Sequence, residues 1–461
     1  MIDFKNDTIA AVSTPPGEGG ISIIRVSGPG AIDSVMEIFH TRLPNPKIEN
    51  RCMTLGWIKE ANQNVDEVLV TFFHKPHSYT GDESAEINCH GSPLVCRRVL
   101  DLLFQHGVRA AQPGEFTLRA FLNGKMDLAQ AEAVADLIHA KTEESRKAAF
   151  NQLQGSLSKR IEKMHEELIR ACSLLEIELD FSEEGIEFTP KEEFADLLEK
   201  IRNEIETLLT SYEYGRICRD GIRIVLTGKT NVGKSSILNC LLEKERAIVT
   251  AIPGTTRDTV EDILDIGGFL TYITDTAGMR RTEDPIEKES ILRTRRAIEN
   301  ADMVLCVFDK SVPFDQEDET FCQNIKKLKK KTFVLVNKID LPAAWETQKV
   351  IQNFPSNIVF EISALKKLGT LDLIQALESS IRSEGLRVNH EAALTNMRHR
   401  NCLVRAREDV MKAQAALANG MSQEFIAMDL RVALDHLGEI TGRSGVEEIL
   451  DTIFSSFCIG K

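Results

Sequence analysis

The sequence predicts a multidomain α/β protein built from three parts. A β-rich α+β domain covers residues 1–119. An all-α helical domain covers 120–221 plus 383–461. An α/β domain with a mainly parallel sheet, residues 222–382, is inserted into the helical one. Three observations carry this. The β-branched runs "GGISIIRVSGPG" and "DEVLVTFF" are bounded by turn residues. From Leu128 onward, apolar residues recur at helical spacing with charges between them. Beyond Gly221, short apolar strands such as "GIRIVLTG", "ADMVLCVFD" and "KTFVLVNKID" alternate with helical stretches, until the helical texture returns after about residue 382. Two separate helical domains remain the alternative to one interrupted domain.

The 461 residues carry a formal net charge of −14. Such a chain will not coat nucleic acid non-specifically, so any RNA contact needs a local basic patch or a second protein. The densest basic run, "KKLKKK" from Lys326 to Lys331, is expected to be a solvated helix face rather than an RNA grip. The ten cysteines include no Cys-x-x-Cys pair, against a zinc ribbon or disulfide framework. No apolar run approaches a membrane span, and the start lacks a basic region followed by an apolar one. The expectation is a cytoplasmic protein with no membrane role.

The inserted domain opens with a strand followed by Gly228-x-x-x-x-Gly233-Lys234-Ser235. Its glycines let backbone amides face phosphate oxygens, Lys234 supplies a point charge, and Ser235 offers a hydroxyl to Mg²⁺. Asn231, Val232 and Ser236 complete this stretch. "DTAG" (Asp275, Thr276, Ala277, Gly278) ends another strand, with Asp275 suited to support Mg²⁺ and the Gly278 amide suited to sense the γ-phosphate. "NKID" follows a third strand. Asp340 can accept from guanine N1–H and the N2 amino group, which adenine lacks. Asn337 suits the N7/O6 edge, and the stem of Lys338 can lie along the base. Ser363, Ala364 and Leu365 can close over O6. The reading is GTP, not ATP.

This order of motifs resembles the translation-factor-like, potassium-dependent GTPases. By that resemblance Asn231, Thr250, Ile252 (through its backbone) and Thr255 are candidate K⁺ ligands. They lie in a nucleotide loop that also holds Ala251, Pro253, Gly254 and Thr256. Thr256 would join Ser235 on Mg²⁺. Met279 stands where small signalling GTPases use a glutamine to position water, so another group must act. Glu287 matches the glutamate proposed for that role, although an exposed helix charge is its bland alternative.

With both ends included, "SYTGDESAEINCHGSP", "PGEFTLRAFLNGKMDLAQAEAVADLI" and the final "SSFCIGK" are similar to the bacterial tRNA uridine-modification GTPases over nearly the whole chain. The resemblance implies an N-terminal domain that dimerises and binds a tetrahydrofolate derivative, 5,10-methylene or 5-formyl. It implies a flavoprotein partner that carries FAD and uses NADH, forming a heterotetramer. The product would be an aminomethyl or carboxymethylaminomethyl group at C5 of the wobble uridine of certain tRNAs. Arg25, Glu86, Lys125 and Lys461 match the family's folate contacts, each with an ordinary surface charge as the alternative. His90 is expected to be structural. Thr230, Ser92 and Pro253 depart from the family's usual residues without removing a proposed side-chain ligand. The rival reading is a ribosome-assembly GTPase switch without covalent chemistry, which shares every nucleotide motif.

The tail raises its own question. Gly460 and Lys461 speak against prenylation of Cys458. A packed thiol and a reactive nucleophile remain, and the resemblance favours a strip that returns to the folate site, with Cys458 as a candidate catalytic thiol.

Overall fold

The computed structural model describes residues 7–41, 49–180, 190–244, 261–275, 296–383, 393–445, 447–455 and 457–461. The chain divides into two compact units. One comprises Met1–Ala135, Leu153–Phe188 and Asn419–Lys461; the other comprises Asp136–Gln152 and Thr189–Ala418.

In the first unit, seven strands form one sheet: β1 (Ile9–Val12), β2 (Gly19–Ser27), β3 (Phe39–Thr41), β4 (Met53–Glu60), β5 (Gln63–Phe73), β6 (Ser84–Gly91) and β7 (Arg109–Ala110), in the order β3-β4-β5-β6-β2-β1-β7. All pairings are antiparallel except β1 with β7. Strand alternation separates two faces. Ile24, Val26, Val70, Phe72, Ala85 and Ile87 pack beneath α1 (Ala31–Ile38) and α2 (Pro93–Gln105). The other face carries a smaller cluster of Ile9, Ala11, Ala111 and Phe116, with Tyr79 against it. Phe116 belongs to α3 (Glu115–Leu122), whose start is pinned by a buried ion network. Glu115 accepts from Arg109 Nη2 at 2.6 Å and from Arg119 Nη2 at 2.9 Å. In the same unit α6 (Ser156–Asp180) packs on α14 (Gln423–Thr441), and α15 (Glu447–Ser455) packs on α3.

In the second unit a six-stranded sheet runs β13-β12-β11-β8-β10-β9. Its strands are β8 (Ile222–Thr227), β9 (Glu261–Ile266), β10 (Phe269–Asp275), β11 (Met303–Asp309), β12 (Lys331–Asn337) and β13 (Val359–Glu361). Only the β9–β10 pairing is antiparallel, as expected for a mainly parallel sheet. All seven residues of β11 are buried, which explains its unbroken apolar run. Helices cover both faces, among them α9 (Lys234–Lys244) and α12 (Thr370–Ser383), with α10 (Gln316–Lys327) and α11 (Gln348–Asn353) flanking a second core around Val304, Cys306 and Phe308. Elsewhere in this unit α7 (Lys191–Thr210) packs on α13 (Met397–Ala418), and α8 (Tyr212–Asp220) leads into β8. The run Lys326–Lys331 is a helix face only in part, since Lys326 and Lys327 are exposed in the last turn of α10 and the rest lies beyond it. The helix ends at Lys327, Lys330 Nζ donates to the carbonyls of Glu299 and Ala301, and Lys331 Nζ donates to that of Ser380.

Candidate functional site

The nucleotide motifs sit together at the C-terminal ends of the parallel strands, where ligands of open α/β sheets bind. Gly228 follows β8 at φ 154°, and a Cβ there would lie 2.4 Å from the Val307 carbonyl. Lys234 is buried at the start of α9, its Nζ donating to the carbonyls of Gly228 and Lys229 at 2.9 and 2.6 Å. Ser235 Oγ donates to Asp275 Oδ2 at 2.7 Å, so two hard oxygens converge as a Mg²⁺ site requires. Ser236 and Asn231 are exposed, Asn231 with a left-handed backbone at φ 62°, and Val232 is buried in the core below.

The base-side residues are tied into the domain through backbone and side-chain contacts. Asn337 is 2% exposed and engaged at both ends. Its Nδ2 donates to the Val232 carbonyl at 2.9 Å, and its Oδ1 accepts from the Ala364 amide at 3.1 Å. It ties the P-loop to the Ser363–Leu365 loop. Lys338 Nζ donates to the Asn231 carbonyl at 2.8 Å and to Asp309 Oδ2 at 2.6 Å. Asp340 and Leu365 are exposed, whereas Ser363 is buried and its Oγ accepts from the Lys366 amide. Asp309 escaped sequence reasoning. The available signal was a carboxylate ending an apolar strand, and Asp309 pairs in register with Asn337. Lys229, also unremarked, is held by Asp315 and Asp318 at the start of α10.

Thr250, Ala251, Ile252, Pro253, Gly254, Thr255, Thr256, Thr276, Ala277, Gly278 and Glu287 lie outside the described residues. Among the described residues, no group of three or more His, Cys, Asp or Glu could hold a metal ion.

The second site lies in the first unit. Register places Arg25 on β2 directly opposite Glu86 on β6, and Arg25 Nη2 donates to Glu86 Oε1 at 2.9 Å. The guanidinium carbon stands 5.0 Å from the Tyr79 ring centroid and 5.7 Å from that of Phe116. Arg25 Nη1 is buried without a hydrogen-bond partner. The tail returns here. Ser13 Oγ donates to the Gly460 carbonyl at 3.1 Å, and Lys461 Nζ stands 5.6 Å from the Tyr79 ring centroid. Gly460 has φ 100°, and a Cβ would lie 2.4 Å from the Val12 carbonyl, so glycine is required. Burial lowers the Lys461 pKa, Arg25 lowers it further, and Glu86 opposes them. Lys125 Nζ donates to the Pro76 carbonyl at 3.0 Å, and its stem packs beside Gly81. Cys458 is exposed, while the Cys458 carbonyl accepts from the amides of Gly114 and Lys461. Tyr79 and Phe116 were not foreseen, since neither lies in a motif and each gains its meaning only beside the Arg25 guanidinium. His90 Nδ1 pairs with Asp66 Oδ1 at 2.6 Å on an exposed ring.

A mainly parallel sheet carrying a P-loop, a strand-end aspartate beside its serine and an Asn-Lys-x-Asp loop tied to that P-loop has the architecture of a P-loop GTPase domain. Two family models cover the chain: "MnmE helical domain" matches residues 128–458, and "GTP-binding protein TrmE N-terminus" matches 8–125. Relatives named tRNA modification GTPase MnmE align end to end. That of Natranaerobius thermophilus is 42% identical, covering 99% of this chain and 100% of its own. Those of Carboxydothermus hydrogenoformans and Clostridioides difficile are 43% and 40% identical with the same coverage. The chain belongs to the MnmE family of tRNA modification GTPases.

Proposed function

We propose that this chain is the K⁺-dependent GTP-hydrolysing subunit of a complex that adds an aminomethyl or carboxymethylaminomethyl group at C5 of wobble uridine in tRNA. GTP hydrolysis in tRNA modification follows from family membership. The finer reading includes a one-carbon unit from a tetrahydrofolate derivative, a homodimer in the cytoplasm, and a partner flavoprotein carrying FAD. The observation that carries it is the convergence of Lys461 on Arg25, Glu86 and Tyr79.

That convergence fits a folate. The pterin's amidine edge suits the Glu86 carboxylate, and its glutamate tail suits Lys461 and Lys125. The unpartnered Arg25 Nη1 leaves one buried donor for a ligand oxygen. The folate supplies the one-carbon unit when bound. Tyr79 and Phe116 offer ring faces, and Cys458 is exposed on the returning tail.

In the nucleotide site, Lys234 would hold the β and γ phosphates, and Ser235, Asp275 and Thr256 would hold Mg²⁺ directly or through water. K⁺ on Asn231, Thr250, Ile252 and Thr255 would supply positive charge where phosphoryl transfer develops negative charge. Glu287 would orient the water. GTP turnover should be faster in KCl than in NaCl, and Asn231→Ala should erase the difference. Equal rates in both salts for the unaltered protein would remove the cation assignment. Mass spectrometry of nucleosides from cells lacking the protein tests the rest, because unchanged wobble uridines would refute the modification role.

A further inference from the structure

We infer that the second unit carries a phosphate-binding cleft for the tRNA backbone, at the end of its sheet opposite the nucleotide. The inference rests on the tRNA reading above. A cavity of about 420 Å³ is lined by His139, Lys141, Arg219, Arg223 and Tyr272, with Asp220 as an acidic member. That volume falls in the ~300–1,000 Å³ range of small-ligand sites. Arg219 is bound to Asp136 through Nε at 3.0 Å. His139, Lys141 and Arg223 are exposed and form no ion pair among the described residues. The Arg223 guanidinium carbon stands 5.8 Å from the Tyr272 ring centroid, which keeps it at the cleft wall.

The chemistry selects a phosphate. Guanidinium and ammonium groups converge on one open concavity, and charge-assisted bonds to phosphate oxygens are their strongest pairing. A chain of net charge −14 repels RNA over most of its surface, so contact must be made where cations are locally in excess. In the dense lysine run Lys326 is engaged by Asn353 and Lys330 and Lys331 by backbone carbonyls, which leaves Lys327 and Lys329 exposed on a chain segment rather than gathered around a concavity. The cleft draws its cations from two segments, 139–141 and 219–223, that are distant in sequence. Its opening toward solvent suits one phosphodiester of a long polyanion better than an enclosed small metabolite.

The position gives the cleft a route to the catalytic end. Arg223, near the start of β8, pairs with Tyr272 of β10, and the same two strands lead to Gly228, just after β8, and to Asp275, the last residue of β10. The five residues from Arg223 to Gly228 span about 16 Å.

The test is tRNA binding by the full-length protein, followed by fluorescence anisotropy across a KCl series, for the unaltered chain and for Lys141→Gln/Arg223→Gln. Both residues are exposed, and thermal melting checks the fold. The expected result is about tenfold weaker binding, a salt dependence shallower by roughly 0.9 per lost phosphate contact, and unchanged GTP turnover without tRNA. Wild-type affinity and slope in the double variant would overturn the cleft while leaving the tRNA reading intact. Absence of tRNA binding by the unaltered protein would overturn both. Saturable pyrophosphate binding that the double variant loses, with tRNA affinity unchanged, would overturn the RNA assignment in favour of a free anion.

Discussion

Lys338 donates from Nζ to Asp309 Oδ2 at 2.6 Å while also donating to the Asn231 carbonyl at 2.8 Å. One ammonium thus joins the base loop, the end of β11 and the P-loop. Burial pushes the Asp309 carboxyl up, but Lys338 and Ser311 outweigh it and hold the pKa below 3.8. A depressed carboxylate contributes stability that is present above its unfolded value and lost as pH falls through the folded one. Nucleotide affinity is therefore expected to show no Asp309 titration between pH 5 and 8. Asp309→Asn keeps the shape and removes the charge. Titration with a fluorescent GDP analogue should show about tenfold weaker binding, worth ~1.4 kcal/mol. Unchanged affinity would make the pair idle.

Gly233 and Asn337 form a second linked pair. Gly233 has φ 94°, and a Cβ there would lie 2.2 Å from Asn337 Nδ2. Gly233→Ala should displace the Asn337 amide from the Val232 carbonyl and the Ala364 amide, weakening GTP binding by about 100-fold or more. Asn337→Ala leaves those two backbone groups buried and unpaired, at a cost of about 1–3 kcal/mol in chemical denaturation. Because the two changes damage one contact, the double variant should lose less than the sum of the singles. Additive losses would show that the contact is not shared.

At the tail, Lys461 opposes stability and serves binding. Its folded pKa is lowered from 10.5 by burial, then by Arg25. An unfolded chain binds that proton more tightly, so the charged lysine costs stability at neutral pH, and the cost fades as pH rises through the folded pKa. Lys461→Met keeps the apolar stem and removes the charge. Its melting temperature at pH 7 should equal or exceed that of the unaltered protein, while 5-formyl-tetrahydrofolate binding by calorimetry should weaken about tenfold. A lower melting temperature with folate affinity intact would reverse both assignments.

Much of the nucleotide site was legible because its motifs are local. Gly228 to Ser235, Asp275 and Asn337 to Asp340 each stand at or just after the end of an apolar strand, and parallel strands bring their C-terminal ends together. What sequence could not supply was pairing across distance. Arg25 and Glu86 are 61 residues apart and meet only through the β2–β6 register. Asp309 read as the end of a buried strand, and only its neighbour in register, Asn337, reveals its role. The lysine run read correctly only as far as the helix end at Lys327, because composition does not show that Lys330 and Lys331 reach backbone carbonyls. Tyr79 and Phe116 carry no local signal at all, since their meaning comes from the guanidinium between them.

Cys458 offers the most discriminating chemical test. Of the ten cysteines, only Cys52 and Cys458 are exposed. Burial pushes the thiols of Cys89 and Cys218 up to about 12 and those of Cys172 and Cys322 up to about 11, so they will not ionise at neutral pH. In a Cys52→Ser background, brief iodoacetamide treatment of the native protein should therefore label Cys458 alone, as peptide mass spectrometry would show. Labelling should stop GTP-dependent tRNA modification while leaving GTP turnover unchanged. Cys458→Ser preserves the backbone carbonyl that Gly114 and Lys461 contact, so the tail should keep its place and the melting temperature should not move. Loss of modification in that variant, with folate affinity retained, would assign chemistry to the sulfur. Full modification would reduce Cys458 to a surface thiol on a strip whose working group is Lys461.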